Sequence, residues 1–192
     1  MSEHQLLQDT IDFDAPPGTG DSAVLLRAMQ FFLRYQLGAQ SMPQAPNIDE
    51  LRKMLPILEG YVKALVVCAS GDGELDDAER AWIVGFCANA GGTFELVEEL
   101  RTLNPSDVNV MQLMQMTERP GLFTHALIYN AIQASDADGV LDDRELATIQ
   151  MMAGALGVGR DYVDELVALY REEKAFFAKK MAKLFPTGHP WG

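Results

Sequence analysis

The sequence predicts an all-α protein: a single bundle of about seven to eight helices, built from two helix-loop-helix repeats related by a pseudo-twofold axis. The first observation behind this prediction is an internal repeat, because residues 72–83 and 138–149 lie 66 positions apart and share eight of twelve residues. The second is the apolar pattern, which recurs every three or four positions and nowhere alternates as in strands. We expect the repeats, at about 56–92 and 122–158, to share one core, since neither can bury its apolar faces alone.

Composition places the chain among globular proteins, because 48% of its 192 residues are apolar. The net charge of −13 argues against nucleic acid as a partner. No apolar run is long enough to span a bilayer and no secretion signal is evident, so we expect a cytoplasmic protein. Cys68 and Cys87 lie in apolar helical stretches, which predicts buried, reduced thiols rather than a disulfide or a zinc site.

The helical domain is predicted at 21–185, between a flexible acidic tail at 1–20 and a short C-terminal tail at 186–192. Asp21 is a candidate N-cap for the first helix, whose apolar pattern ends at Gly38.

The first repeat is predicted to contain three helices. A capping-box pattern at 47–50 begins a long helix that ends before the acidic loop at 70–75. Pro56 inside this helix either kinks it or divides it in two. The next helix ends at Gly91, a typical stop, and Thr93 caps a third, shorter helix.

The second repeat is preceded by a predicted Met-rich helix, which opens at Asn104 and ends before Pro120. A helix at 122–135 leads into the second acidic loop, and the helix after that loop stops at Gly157. A final helix is predicted at 160–185.

Both acidic loops have the spacing of a calcium-binding EF-hand loop from which the first ligand is missing. If Gly139 takes the sixth position, carboxylates fall at the third, fifth, ninth and twelfth, while Ala134 at the first has no side-chain oxygen. In the other loop Cys68 takes the first position. A set of carboxylate oxygens suits Ca²⁺, Mg²⁺ or Mn²⁺ and not zinc. The candidate metal ligands are Asp136, Asp138, Asp142 and Glu145 in the second loop, with Asp72, Asp76 and Glu79 in the first.

A structural role accounts for half of each motif without a metal. Asp76 with Glu79, and Asp142 with Glu145, are spaced as an N-cap and a third helical residue, so each pair predicts a capping box. Capping does not account for the aspartates that precede these pairs, whose mutual repulsion favours a bound cation. Two functions stay open: a cation-binding module, or a protein-interaction scaffold whose acidic motifs are only helix caps.

The paired D-G-x-L-D-D-x-E loops in an all-helical chain resemble the TerB-like tellurite-resistance family over residues 48–170. The copy A-D-G-V-L-D-D-R-E is the closer match, whereas Gly71 replaces the alanine in the other copy. The resemblance implies a cation site in the acidic loops and a role in a stress response, through protein partners, near the inner face of the membrane. The chain has no nucleophile elbow and no phosphate-binding glycine loop, so we predict no enzyme.

The C-terminal stretch is basic, with Lys174, Lys179, Lys180 and Lys183 among apolar and aromatic residues. This pattern fits peripheral contact with an anionic membrane or an acidic partner. It also fits lysines that complement the helix dipole while the aromatic side chains dock on the bundle.

Overall fold

The computed structural model describes residues 20–36, 48–71, 75–109 and 123–188, and every regular element within these ranges is helical. Seven α-helices occur there, so the all-α prediction is confirmed. In chain order they are α1 (Gly20–Phe31), α2 (Ile48–Ala69), α3 (Asp77–Asn89), α4 (Phe94–Thr102), α5 (Thr124–Ser135), α6 (Asp143–Ala155) and α7 (Arg160–Leu184). None of the described helices is both long and apolar enough to cross a bilayer.

The long helix α2 is not divided at Pro56. It runs unbroken from Ile48 to Ala69 with the proline inside it. Pro56 lies on an exposed part of the helix, where the ring points away from the core and water can hydrogen-bond the carbonyl that loses its donor.

The bounds of corresponding helices recur at the offset of the sequence repeat. Helices α3 and α6 begin 66 residues apart, and so do α4 and α7. Gly91 and Gly157 follow α3 and α6 with φ angles of 86° and 79°, in the left-handed region that glycine adopts without strain. Both glycines were predicted as stops, and their geometry explains why the helices end there. The pseudo-twofold axis itself stays a prediction.

Two predictions near the helix ends need correction. Asn104 and Pro105 do cap a helical turn, but it is a 3-10 turn, Pro105–Asp107, and Val108 is already extended (φ −96°, ψ 120°). No α-helix therefore starts at Asn104, and the methionines of the predicted helix lie outside the described residues. The first helix becomes π-helical over Phe32–Gln36 instead of continuing as regular α-helix.

The core lies where α2 and α5 pack against each other, and each of them also contacts α3 and α6. Its largest fully buried side chains are contributed by all four helices and by α4 and α7, among them Leu65, Ile83, Leu100, Ile132 and Val163. Cys68 and Cys87 are buried free thiols, as predicted. Because the four helices share one core, the acidic loops that join α2 to α3 and α5 to α6 are held on a common framework.

Candidate functional site

Each acidic loop ends in a complete capping box. At the start of α3, Asp76 Oδ1 accepts a hydrogen bond from the Glu79 amide at 2.7 Å, and Glu79 Oε2 accepts one from the Asp76 amide at 2.9 Å. At the start of α6, Asp142 Oδ1 accepts from the Glu145 amide at 2.8 Å, and Glu145 Oε2 accepts from the Asp142 amide at 2.8 Å. The capping prediction is therefore confirmed in both loops, and each box satisfies amides that the first helical turn leaves unpaired.

The first loop packs directly against the start of α6. A Cβ atom on Gly71 would lie 2.9 Å from the Glu145 Cα and 2.7 Å from the Thr148 Oγ1, closer than side-chain carbons approach such atoms. This contact explains why Gly71 stands where the other copy has Ala137. Only glycine leaves room for the two loops to meet.

The two capping glutamates meet in the interior. Glu79 is 3% exposed and Glu145 is 8% exposed. They lie close enough for each side chain to shift the pKa of the other. Two neighbouring buried carboxylates repel each other when both are ionised, so the site favours a state in which one of them holds a proton. That state carries one negative charge and one proton, between the first turns of α3 and α6.

The surroundings of the pair favour the protonated form. Burial raises the pKa of Glu79 to about 8; the Asp76 amide opposes this shift, and the charges of Asp76 and Glu145 add to it. Burial also raises the pKa of Glu145, and the nearby charges of Asp142 and Asp138 act in the same direction. Glu145 raises the pKa of Glu79, whereas the Glu79 side chain lowers the pKa of Glu145, so the two titrate as a coupled pair.

Asp136, a predicted metal ligand, is bound by α7. Its Oδ2 accepts a hydrogen bond from the Tyr170 hydroxyl at 2.7 Å and forms an ion pair with Lys174. The Asp136 side chain is 8% exposed and that of Lys174 is 46% exposed. Lys174 thus compensates the charge of Asp136, and these two contacts attach the second loop to α7.

Asp138 is exposed and shapes the turn of the second loop. Its Oδ1 accepts a hydrogen bond from the Val140 amide at 2.7 Å, next to Gly139, whose φ of 99° favours glycine. The predicted ligand Asp72 lies outside the described residues. Within the described ranges, no group of three or more His, Cys, Asp or Glu side chains is arranged to hold a metal ion. The structure thus brings Glu79 and Glu145 together, with Asp76 and Asp142 beside them in the capping boxes, while Asp136 is held by α7.

Comparison with known proteins identifies the fold. No family model and no curated protein matches the chain. A solved crystal structure of a tellurite resistance protein from Nostoc punctiforme is similar, with a TM-score of 0.71 and 27% sequence identity. The match covers 87% of this chain and 98% of that one. The TerB-like resemblance is confirmed.

The interactions that organise this TerB-like site are only partly visible in the sequence. The motif identified both glutamates as site residues but did not show that their side chains lie next to each other. The predicted repeat contained a signal for this contact. If two copies are related by a twofold axis, residues at equivalent positions can lie next to each other close to that axis. Tyr170 and Lys174 were not predicted as partners of Asp136, and no local pattern could have shown it, since they lie 34 and 38 residues away.

Proposed function

We propose that this TerB-like module binds one divalent cation at the Glu79–Glu145 pair, in exchange for the proton that the two side chains share. The observation that carries the proposal is the convergence of two buried carboxyl groups, one from each acidic loop. Carboxylate oxygens are the ligands that hard cations prefer. A cation between the glutamates would relieve their repulsion and link the two loops.

The number of available carboxylates favours Mg²⁺ or Mn²⁺ over Ca²⁺. Calcium takes six to eight oxygen ligands, whereas magnesium commonly keeps several waters and uses only one or two carboxylates. Both loops lack a side-chain oxygen at the first EF-hand position, and Asp136 is already paired with Lys174. Asp138 lies near enough to influence Glu145, and its exposed charge would attract a cation toward the pair.

The competing function is a protein-interaction scaffold without a metal. The two complete capping boxes favour it, because they give all four boxed carboxylates a structural role. Both alternatives include protein partners, and neither assigns a catalytic step to the chain. Since the similar crystal structure is that of a tellurite resistance protein, we further propose a role in that type of stress response. Survival on tellurite of a sensitive bacterial strain that expresses the chain tests this role.

Isothermal titration calorimetry at pH 8 separates the two functions. We expect Mg²⁺ or Mn²⁺ to bind the native chain, and Glu79→Gln to abolish binding. Glutamine still accepts from the Asp76 amide, so this variant keeps the capping box while it removes a ligand charge. Glu95→Gln, an exposed first-turn glutamate of α4, is the matched control and should bind like the native chain. A native chain that gives no heat and no rise in melting temperature with millimolar cation would establish the scaffold instead.

A further inference from the structure

The part of α7 beyond Lys174 contributes no fully buried side chain. The buried residues of this helix are Val163, Leu166 and Val167, all within its first eight positions. From residue 171 to residue 184 every side chain is exposed except Met181, which is partly buried. Of the two interpretations of the C-terminal sequence, docking of the aromatic side chains on the bundle is wrong for Phe176, which is 69% exposed. Phe177 is 54% exposed and borders a cleft that Phe32 and Trp82 also line.

The exposed half continues the apolar face that packs in the first half. At about 100° per residue, Phe177, Met181 and Leu184 all fall within about 60° of Val163 around the helix axis, so they lie along the same side of the helix. Leu184 is 58% exposed. Exposed phenylalanine and leucine in a helix that projects from its bundle indicate a surface that is covered in use.

The same segment carries a positive charge that contrasts with the rest of the chain. Residues 171–188 contain Arg171 and four lysines against two glutamates, a net charge of +3 in a chain of −13. Lys174 is paired with Asp136, which leaves Lys179, Lys180 and Lys183 toward the tip. At 1.5 Å per residue, Lys183 lies about 20 Å beyond Tyr170 along the helix. This distance is roughly two Debye lengths at physiological salt, so the negative charge of the bundle is largely screened at the tip.

We propose that residues 176–184 of α7 dock on an anionic lipid bilayer, with the aromatic and aliphatic side chains in the headgroup region and the lysines on lipid phosphates. An anionic bilayer complements the positive charge of this segment. Lysines that flank bulky apolar residues are typical of helices that lie in an anionic membrane interface. Lys180 already lies over the Phe177 ring, 5.4 Å from its centroid, so charge and apolar surface are adjacent.

The distribution of these residues around the helix favours lipid over an acidic protein. Phe176 and Phe177 are consecutive, so they project about 100° apart, and the three distal lysines lie between and beside them. A protein groove covers one face of a helix and would leave Phe176 in water. A headgroup layer surrounds the helix and accommodates apolar and charged groups on several sides at once.

Flotation of the full-length chain with vesicles tests the proposal. We expect the chain to float with vesicles of phosphatidylcholine and phosphatidylglycerol in low salt. Pure phosphatidylcholine or 0.5 M salt should abolish flotation. Replacing Lys179, Lys180 and Lys183 by glutamine should weaken partitioning on the order of 100-fold, since each lysine near an anionic surface contributes about fivefold. Phe176→Ser with Leu184→Ser should also release the chain from the vesicles.

Matched controls separate docking from a general change in charge or folding. Exposed basic residues elsewhere, Lys53, Arg101 and Arg144, are replaced by glutamine to give the same charge change, and this variant should float like the native chain. Met151→Ser, at a side chain 71% exposed on α6, is the apolar control and should also float. Absence of flotation at any phosphatidylglycerol content would overturn the proposal. Equal flotation of the tip-lysine variant and the native chain would overturn it as well.

Discussion

Replacing Glu79 by glutamine should remove the pH dependence of stability that this glutamate imposes. Burial and the neighbouring carboxylates raise the folded pKa of Glu79 from 4.5 to about 8. In the unfolded chain the group ionises near its ordinary pKa, so between these values the folded state holds a proton that the unfolded state has released. The stability from this pair is therefore fully present below pH 4.5 and is lost as the pH rises toward 8.

The magnitude follows from proton linkage. One proton held only by the folded state lowers the free energy of unfolding by about 1.4 kcal/mol per pH unit within that window. Glutamine cannot ionise, yet it still accepts the hydrogen bond from the Asp76 amide. We therefore expect Glu79→Gln to exceed the native chain in stability by about 2–4 kcal/mol at pH 8, with the two chains close together near pH 4.5.

Urea unfolding in cation-free buffer, followed by circular dichroism at half-unit pH steps, measures this difference. Glu95→Gln, an exposed first-turn glutamate of α4, should follow the native curve throughout. If the native chain and Glu79→Gln show parallel stability curves between pH 5 and 8, the glutamates do not share a proton. The electrostatic description of the site would then be refuted.

The remaining predictions concern the backbone that places the loops. Gly71→Ala would force a Cβ against the Glu145 Cα and should cost about 1–3 kcal/mol in urea unfolding, whereas Gly85→Ala, at an open helical position, should stabilise the protein by about 0.5–1 kcal/mol. A Gly71→Ala variant as stable as the native chain would disprove the close contact of the loops. Asp142→Ala removes an N-cap and should cost about 0.5–2 kcal/mol by the same assay, while Asp143→Ala should cost less than half of that. Equal losses in these two variants would contradict the capping role.

Most helix boundaries of the fold could be predicted from local sequence patterns. Helix ends depend on local chemistry, so the caps at Asp76, Thr93 and Asp142 and the left-handed stops at Gly91 and Gly157 were predictable one by one. The same reasoning from local sequence wrongly predicted an α-helix after Asn104. A favourable first turn starts a helix, but it does not ensure that the next residues continue it.

The sequence predicted which residues form the candidate site, but it did not predict which of them contact each other. Spacing identified Glu79 and Glu145 as equivalent members of two motifs, while their proximity depends on how two distant segments pack. Tertiary packing also places Asp136 next to Tyr170 and Lys174. This predicted metal ligand therefore forms a long-range ion pair. Sequence periodicity carries no information on such pairings because it describes one helix at a time.

The most direct test of the account is the number of protons released when a cation binds. Titration of Mn²⁺ into the native chain at pH 7, in two buffers that differ in their heat of ionisation, measures this number. Exchange of a cation for the shared proton of Glu79 and Glu145 predicts close to one proton released per cation bound, and no binding in Glu79→Gln. Binding that releases no proton, or binding that survives in Glu79→Gln, would contradict the central claim.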